Sequence, residues 1–137
     1  MRPRAVAVLD TMWDPGATGA TGTVRYFTIS PSNLSGARLY KIVGPDVELI
    51  VTNACRDHVG SPSDHGTPDP AWLRENLTLL EPFKVVLLCG RVAETAYTAS
   101  GYLLPSASRL IRMPHPAARF WTTGMVATYA RLIQDAL

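Results

Sequence analysis

Residues 84–91 read Lys84-Val85-Val86-Leu87-Leu88-Cys89-Gly90-Arg91. Five apolar residues stand in a row with no polar alternation. A strand with one wet face alternates; a strand covered on both faces does not. The glycine that follows breaks the run, and Arg91–Ser100 has helical composition. This stretch therefore predicts the central strand of a parallel sheet, turning into a helix that covers it.

The pattern repeats on both sides. Val47–Thr52 is strand-like and opens onto a long polar loop, residues 53–68. Asp69 then reads as an N-cap with Pro70 at the first helical position, and Trp72, Leu73, Leu77 and Leu80 form the apolar stripe. Arg109–Met113 is a further strand, halting at Pro114-His115-Pro116. A last helix, roughly Met125–Ala136, is expected to carry Val126, Tyr129, Leu132 and Ile133 inward. Upstream, Val24–Ile29 is β-prone and stops at Ser30-Pro31. Ser35 is the expected N-cap of a helix with Leu39, Ile42 and Val43 on its apolar face, ended by Gly44. Strand and helix alternate four times. The expectation is an α/β fold: a three-layer α-β-α domain with a central, mainly parallel four-stranded sheet. A single domain is expected, with residues 1–23 irregular and 24–137 forming the core.

Bulk properties narrow the function. The 137 residues are 47% hydrophobic and 18% charged, enough apolar material for a core. No apolar run approaches the ~20 residues that span a bilayer. Met1–Leu9 has a leader-like start, but its apolar part is short and Asp10 interrupts it. Cys55 and Cys89 are isolated, so a four-thiolate zinc or iron–sulfur site fails on ligand count, and a reducing cytoplasm is expected. No cofactor is expected. The net charge of +2 permits a polyanionic partner without demanding one. Its distribution is more telling: Arg109, Arg112, His115 and Arg119 fall within eleven residues that contain no acid. His58, Asp64 and His65 match no standard metal spacing, and the glycines of residues 16–22 lack the Gly-Lys-Ser/Thr ending of a phosphate loop.

In a parallel α/β sheet, chemistry gathers beyond the carboxyl ends of the strands. The expected ends are Ser30-Pro31-Ser32, Asn53, Gly90 and His115. Three stretches there carry a resemblance: Val51-Thr52-Asn53-Ala54, Val85–Ala93 with its Gly90 turn, and Met113-Pro114-His115-Pro116-Ala117-Ala118-Arg119. Phe27–Ser32 with Ser35-Gly36 matches more loosely. In this order and spacing, over about residues 24–136, they resemble the uracil-DNA glycosylase superfamily.

The resemblance implies a pocket that holds a nucleotide flipped out of DNA. Asn53 would read the base, its amide offering a donor and an acceptor to one Watson–Crick edge. His115 would steady the departing base anion, its loop stiffened by two prolines. Arg119 would fill the gap in the stack. Ser32, Pro31, Gly90, Arg112 and His58 would add DNA contacts, and Phe120 and Trp121 either extend that surface or join the core. The family's first motif carries Asp, Asn or Glu to prepare the attacking water. Here Thr28-Ile29-Ser30-Pro31 offers only Ser30, no base at neutral pH. Asp57 and Asp64 are the nearest acids by chain position, with Asp10 and Asp14 further candidates. The serine of the family's histidine loop is Ala117. The expected activity is excision of uracil or a modified pyrimidine from single- or double-stranded DNA, by a monomer in the cytoplasm of a bacterium or phage-infected cell. The alternative is a catalytically silent protein that binds a modified base or nucleotide in the same pocket.

Overall fold

The computed structural model describes residues 2–11, 24–57, 59 and 66–137. In chain order they form β1 (Arg4–Leu9), α1 (Leu34–Val43), β2 (Glu48–Asn53), α2 (Pro70–Leu80), β3 (Val85–Cys89), α3 (Arg91–Ser100), β4 (Arg109–Met113) and α4 (Thr123–Ala136). The sheet is wholly parallel, in the order β2-β1-β3-β4. Helices α1 and α4 pack together on one face, and α2 and α3 on the other. The three-layer α/β expectation holds.

The identity of the first strand does not. Arg4–Leu9 lies inside the segment expected to be irregular, and it is an inner strand. Ala5 to Val8 are fully buried, with β2 on one side and β3 on the other. Its alanines leave room for both helix layers, so the strand is apolar on both faces like β3. Val24–Ile29 instead forms a single antiparallel bridge, Phe27 to Val51, on the outer edge of β2. Two backbone hydrogen bonds make that bridge, and the Thr52 hydroxyl takes up the Arg25 carbonyl at 2.7 Å. Arg25 in turn donates to Asn76 of α2 at 3.0 Å, and buried Asn76 donates to Thr52. This segment caps a sheet edge; it is not one of the four strands.

Two smaller expectations shift. The N-cap of α1 is Asn33, whose Oδ1 accepts from the N–H groups of Ser35 and Gly36, so the helix begins before Ser35. On α4, Ile133 is buried but Leu132 is 46% exposed, because α4 lies at the rim and covers the sheet with a narrow stripe. Asp69 caps α2 as expected, accepting from Trp72 N–H at 3.1 Å.

Gly36 sets how α1 seats on the segment before it. A Cβ there would overlap the Ser30 carbonyl oxygen and sit 3.2 Å from Ile29 Cγ1. Alanine is the better helix former, by about 1 kcal/mol. Gly36→Ala is nevertheless expected to destabilise the protein by about 1–3 kcal/mol, the usual cost of overpacking. Urea unfolding measures this, and an unchanged midpoint would mean that Ser30 is not held against α1.

Candidate functional site

Because all four strands are parallel, their carboxyl ends share one edge of the sheet. Asp10 follows β1, Asn53 ends β2, Gly90 follows β3, and His115 lies two residues beyond β4. Leu9 pairs with Asn53, and Cys89 with Met113, so the ends are level. Three strand spacings separate β2 from β4, roughly 14 Å at ~4.8 Å each. Side-chain alternation puts Asn53 on the face of Leu49 and Val51, the α1/α4 side. Asn53 itself is 4% exposed.

The histidine loop is held from several directions. Ala117 N–H donates to His115 Nδ1 at 3.0 Å. A ring nitrogen that accepts carries no proton, so the neutral ring's proton sits on Nε2. The His115 carbonyl accepts from Ala118 N–H and from Trp121 Nε1, both at 2.9 Å. Arg38, from α1, donates to the Pro116 and Ala118 carbonyls at 2.7 and 3.0 Å. Its guanidinium also lies 5.5 Å from the centre of the Trp121 ring. On the other flank, Gly90 has φ +98°, and a Cβ there would touch His115 Cβ at 3.4 Å. Only glycine gives both that backbone conformation and that clearance. The loop borders a groove of about 590 Å³, whose walls include Gly90, Arg91, Arg112, Phe120 and Tyr129.

The family model described as the uracil DNA glycosylase superfamily matches residues 13–136. The chain belongs to this superfamily. No curated protein matches the chain. Membership supports a glycosylase-like function and contact with DNA. Among the described residues, no helix is long and apolar enough to cross a membrane.

Placement of the first strand changes where this uracil-DNA glycosylase relative keeps its acids. Ser30 is not at a strand end. It lies in the turn before α1, exposed, its hydroxyl 2.8 Å from that of Ser32, with Pro31 between them. The stretch that leaves the sheet's inner strand is Asp10-Thr11, and it runs on in sequence to Asp14. Asp10 is half-buried, and Cys55 Sγ donates to its Oδ1 at 3.6 Å. Burial, and then the Asp10 carboxylate, push the Cys55 thiol up to about 12, so that sulfur stays protonated. Asp57 is exposed, and its carbonyl accepts from the Thr11 hydroxyl at 3.0 Å. Arg112 pairs with Glu94 at 2.9 Å, while Arg119 and Phe120 are exposed. Trp121 packs inward, its ring edge-on to Tyr129 at 5.5 Å. Asp14, His58, Asp64 and His65 lie outside the described residues.

Sequence reasoning missed Asp10 as a strand-end residue, and it missed Arg38 altogether. The signal for Asp10 was present: Ala5–Leu9 is as unbroken an apolar run as Val85–Cys89. Nothing in the neighbourhood of Arg38 pointed to a loop some eighty residues away.

Burial lowers the pKa of His115 below its ordinary value of 6.5, with Asp10 acting in the opposite direction. The folded state therefore prefers the neutral ring, and the unfolded chain takes up the proton first as pH falls. Stability is full above pH 6.5 and is lost as pH drops through that value toward the folded pKa. His115→Ala is expected to flatten this slope. Urea midpoints of the two proteins at about pH 7.5 and about pH 5.5 test it, and equal slopes would contradict a desolvated imidazole.

Proposed function

We propose that this protein excises uracil or a modified pyrimidine from DNA by hydrolysing the N-glycosidic bond. The observation that carries the reading is the His115 ring: neutral, with Nδ1 occupied by Ala117 N–H and Nε2–H left as a donor at the carboxyl edge of the sheet. Breaking the bond leaves negative charge on the base and positive charge on the sugar. A fixed N–H donor near the base oxygen gains strength as that charge develops. An imidazolium would give a stronger donor but would have to be held charged in a partly buried site, against the direction of its pKa.

Asn53 reads the Watson–Crick edge from the other end of the row. The strands that carry the two residues are roughly 14 Å apart, which leaves room for one pyrimidine ring between them. Arg119, exposed just beyond the histidine loop, enters the gap in the stack, and Arg112 with Phe120 meets the strand. The acid that prepares the water comes from the stretch after β1. Asp10 is already engaged, accepting from Cys55 Sγ and acting on the His115 ring, so that part is assigned to Asp14.

The test is an excision assay on single- and double-stranded oligonucleotides carrying uracil or 5-hydroxymethyluracil, developed with alkali. Strand breaks at the modified position support the proposal. Salt-dependent binding without breaks would instead support the silent, base-holding alternative, and no binding at all would remove both.

A further inference from the structure

We propose that Arg38 of α1 is a positioning residue for His115, acting through the loop backbone and Trp121. The inference rests on the reading of His115 given above. Four contacts converge on this loop. Arg38 binds the carbonyls of residues 116 and 118, and Trp121 binds the carbonyl of residue 115. The Arg38 guanidinium faces the Trp121 ring, which fixes the indole that makes the last of these bonds. The ring proton of His115 is set by Ala117 N–H, and Ala117 stands between the two carbonyls that Arg38 grips.

The chemistry explains the choice of arginine. One terminal nitrogen of the guanidinium donates to both carbonyls, while the planar group as a whole lies against the Trp121 ring. A lysine ammonium could donate to both carbonyls but has no planar group to lay against the indole. Without Arg38, the carbonyls at 116 and 118 lose a charged donor, and the segment between them gains freedom. The Ala117 N–H then ceases to select the Nε2–H tautomer of His115. Arg38 touches no substrate; it sets which ring nitrogen carries the proton and where that proton points.

The experiment compares the wild type with Arg38→Met, Arg38→Lys and Trp121→Phe. Methionine keeps the aliphatic stem, and phenylalanine keeps a ring for stacking while removing the indole donor. Two readouts are taken. The first is single-turnover excision against DNA affinity. The second is the imidazole tautomer of His115, read from long-range proton–nitrogen NMR spectra of labelled protein without DNA. Arg38→Met should lower the excision rate on the order of 10–100-fold, as expected for a misplaced catalytic group, with DNA affinity nearly unchanged. Its His115 spectrum should show mixed tautomers. Arg38→Lys should recover only part of both, and Trp121→Phe should shift the tautomer in the same direction. A single Nε2–H tautomer in Arg38→Met and Trp121→Phe alike would overturn the proposal. If Arg38→Met does not fold, Trp121→Phe decides by the same spectrum. Should His115→Ala excise as well as wild type, the functional reading fails, while the tautomer measurement still tests the role of Arg38.

Discussion

His115→Ala is expected to lower single-turnover excision by about 10²–10³-fold, the usual loss on removing one preorganised donor from a developing oxyanion. DNA affinity should change by no more than a few-fold. The reasoning follows from where the imidazole sits. It is half-buried, its Nδ1 is taken by Ala117 N–H, and its loop is tied to α1 through Arg38 and to the chain beyond through Trp121. Such a group contributes little to ground-state binding, because an uncharged base offers it only an ordinary hydrogen bond. It contributes most when the base leaves with its electrons. Affinity for DNA comes chiefly from cations and stacking groups, the part proposed here for Arg119, Arg112 and Phe120. A variant that lost affinity and rate together would assign His115 to binding. A variant that kept its rate would remove it from the chemistry.

The second large effect is expected in the stretch after β1. Asp14→Asn should reduce excision by about 10²–10⁴-fold, the range for loss of a general base. Asp10→Asn should have a much smaller effect. Asp10 already accepts from Cys55 Sγ, and its charge raises the pKa of His115. Replacing it by an amide makes His115 still easier to keep neutral, which preserves the donor. The two variants should also part company in the pH profile. Asp10→Asn should move the acid limb of activity to lower pH, since His115 then resists protonation further. Asp14→Asn should leave the position of that limb alone and lower the whole curve. If Asp10→Asn were the inactive variant, the water would be prepared at the strand end itself. If both excised normally, neither carboxylate would be the base.

Much of this was legible in the residues. Val85–Cys89, Arg91–Ser100 and Arg109–Met113 announce themselves, because an unbroken apolar run, a turn glycine and a proline stop are local signals. Asp69-Pro70 likewise fixes the start of α2 from two adjacent side chains. β1 was hidden by its own fitness for the centre of the sheet. Its alanines weaken the strand signal, and arginines ahead of a short apolar run look like a leader. Val24–Ile29 has the stronger β propensity, yet a strand needs neighbours, and only one pairing position on the outer edge of β2 engages it. That exchange took Ser30 away from the strand ends and put Asp10 at one of them. Asn53 and His115 were placed at the correct strand ends because β2 and β4 were read almost at their true boundaries. Arg38 was beyond reach, since its partners are set by tertiary proximity alone.

The position of β1 also bears on how quickly the protein reaches its native state. Ala5 pairs with Leu49 of β2 and, on the other side, with Val85 of β3, eighty residues further along the chain. The innermost pairing of the sheet is thus among its least local. Closing that span costs chain entropy before any contact repays it, and rates of two-state folding fall as such separations grow. The earliest of the four strands in the chain must wait for β3 before its second edge is covered. Until then it presents an apolar, unpaired edge, the form of surface that associates with other chains. The row of strand ends at the candidate site is therefore completed late, when β1 and β3 meet and bring the Asp10 and Gly90 ends side by side.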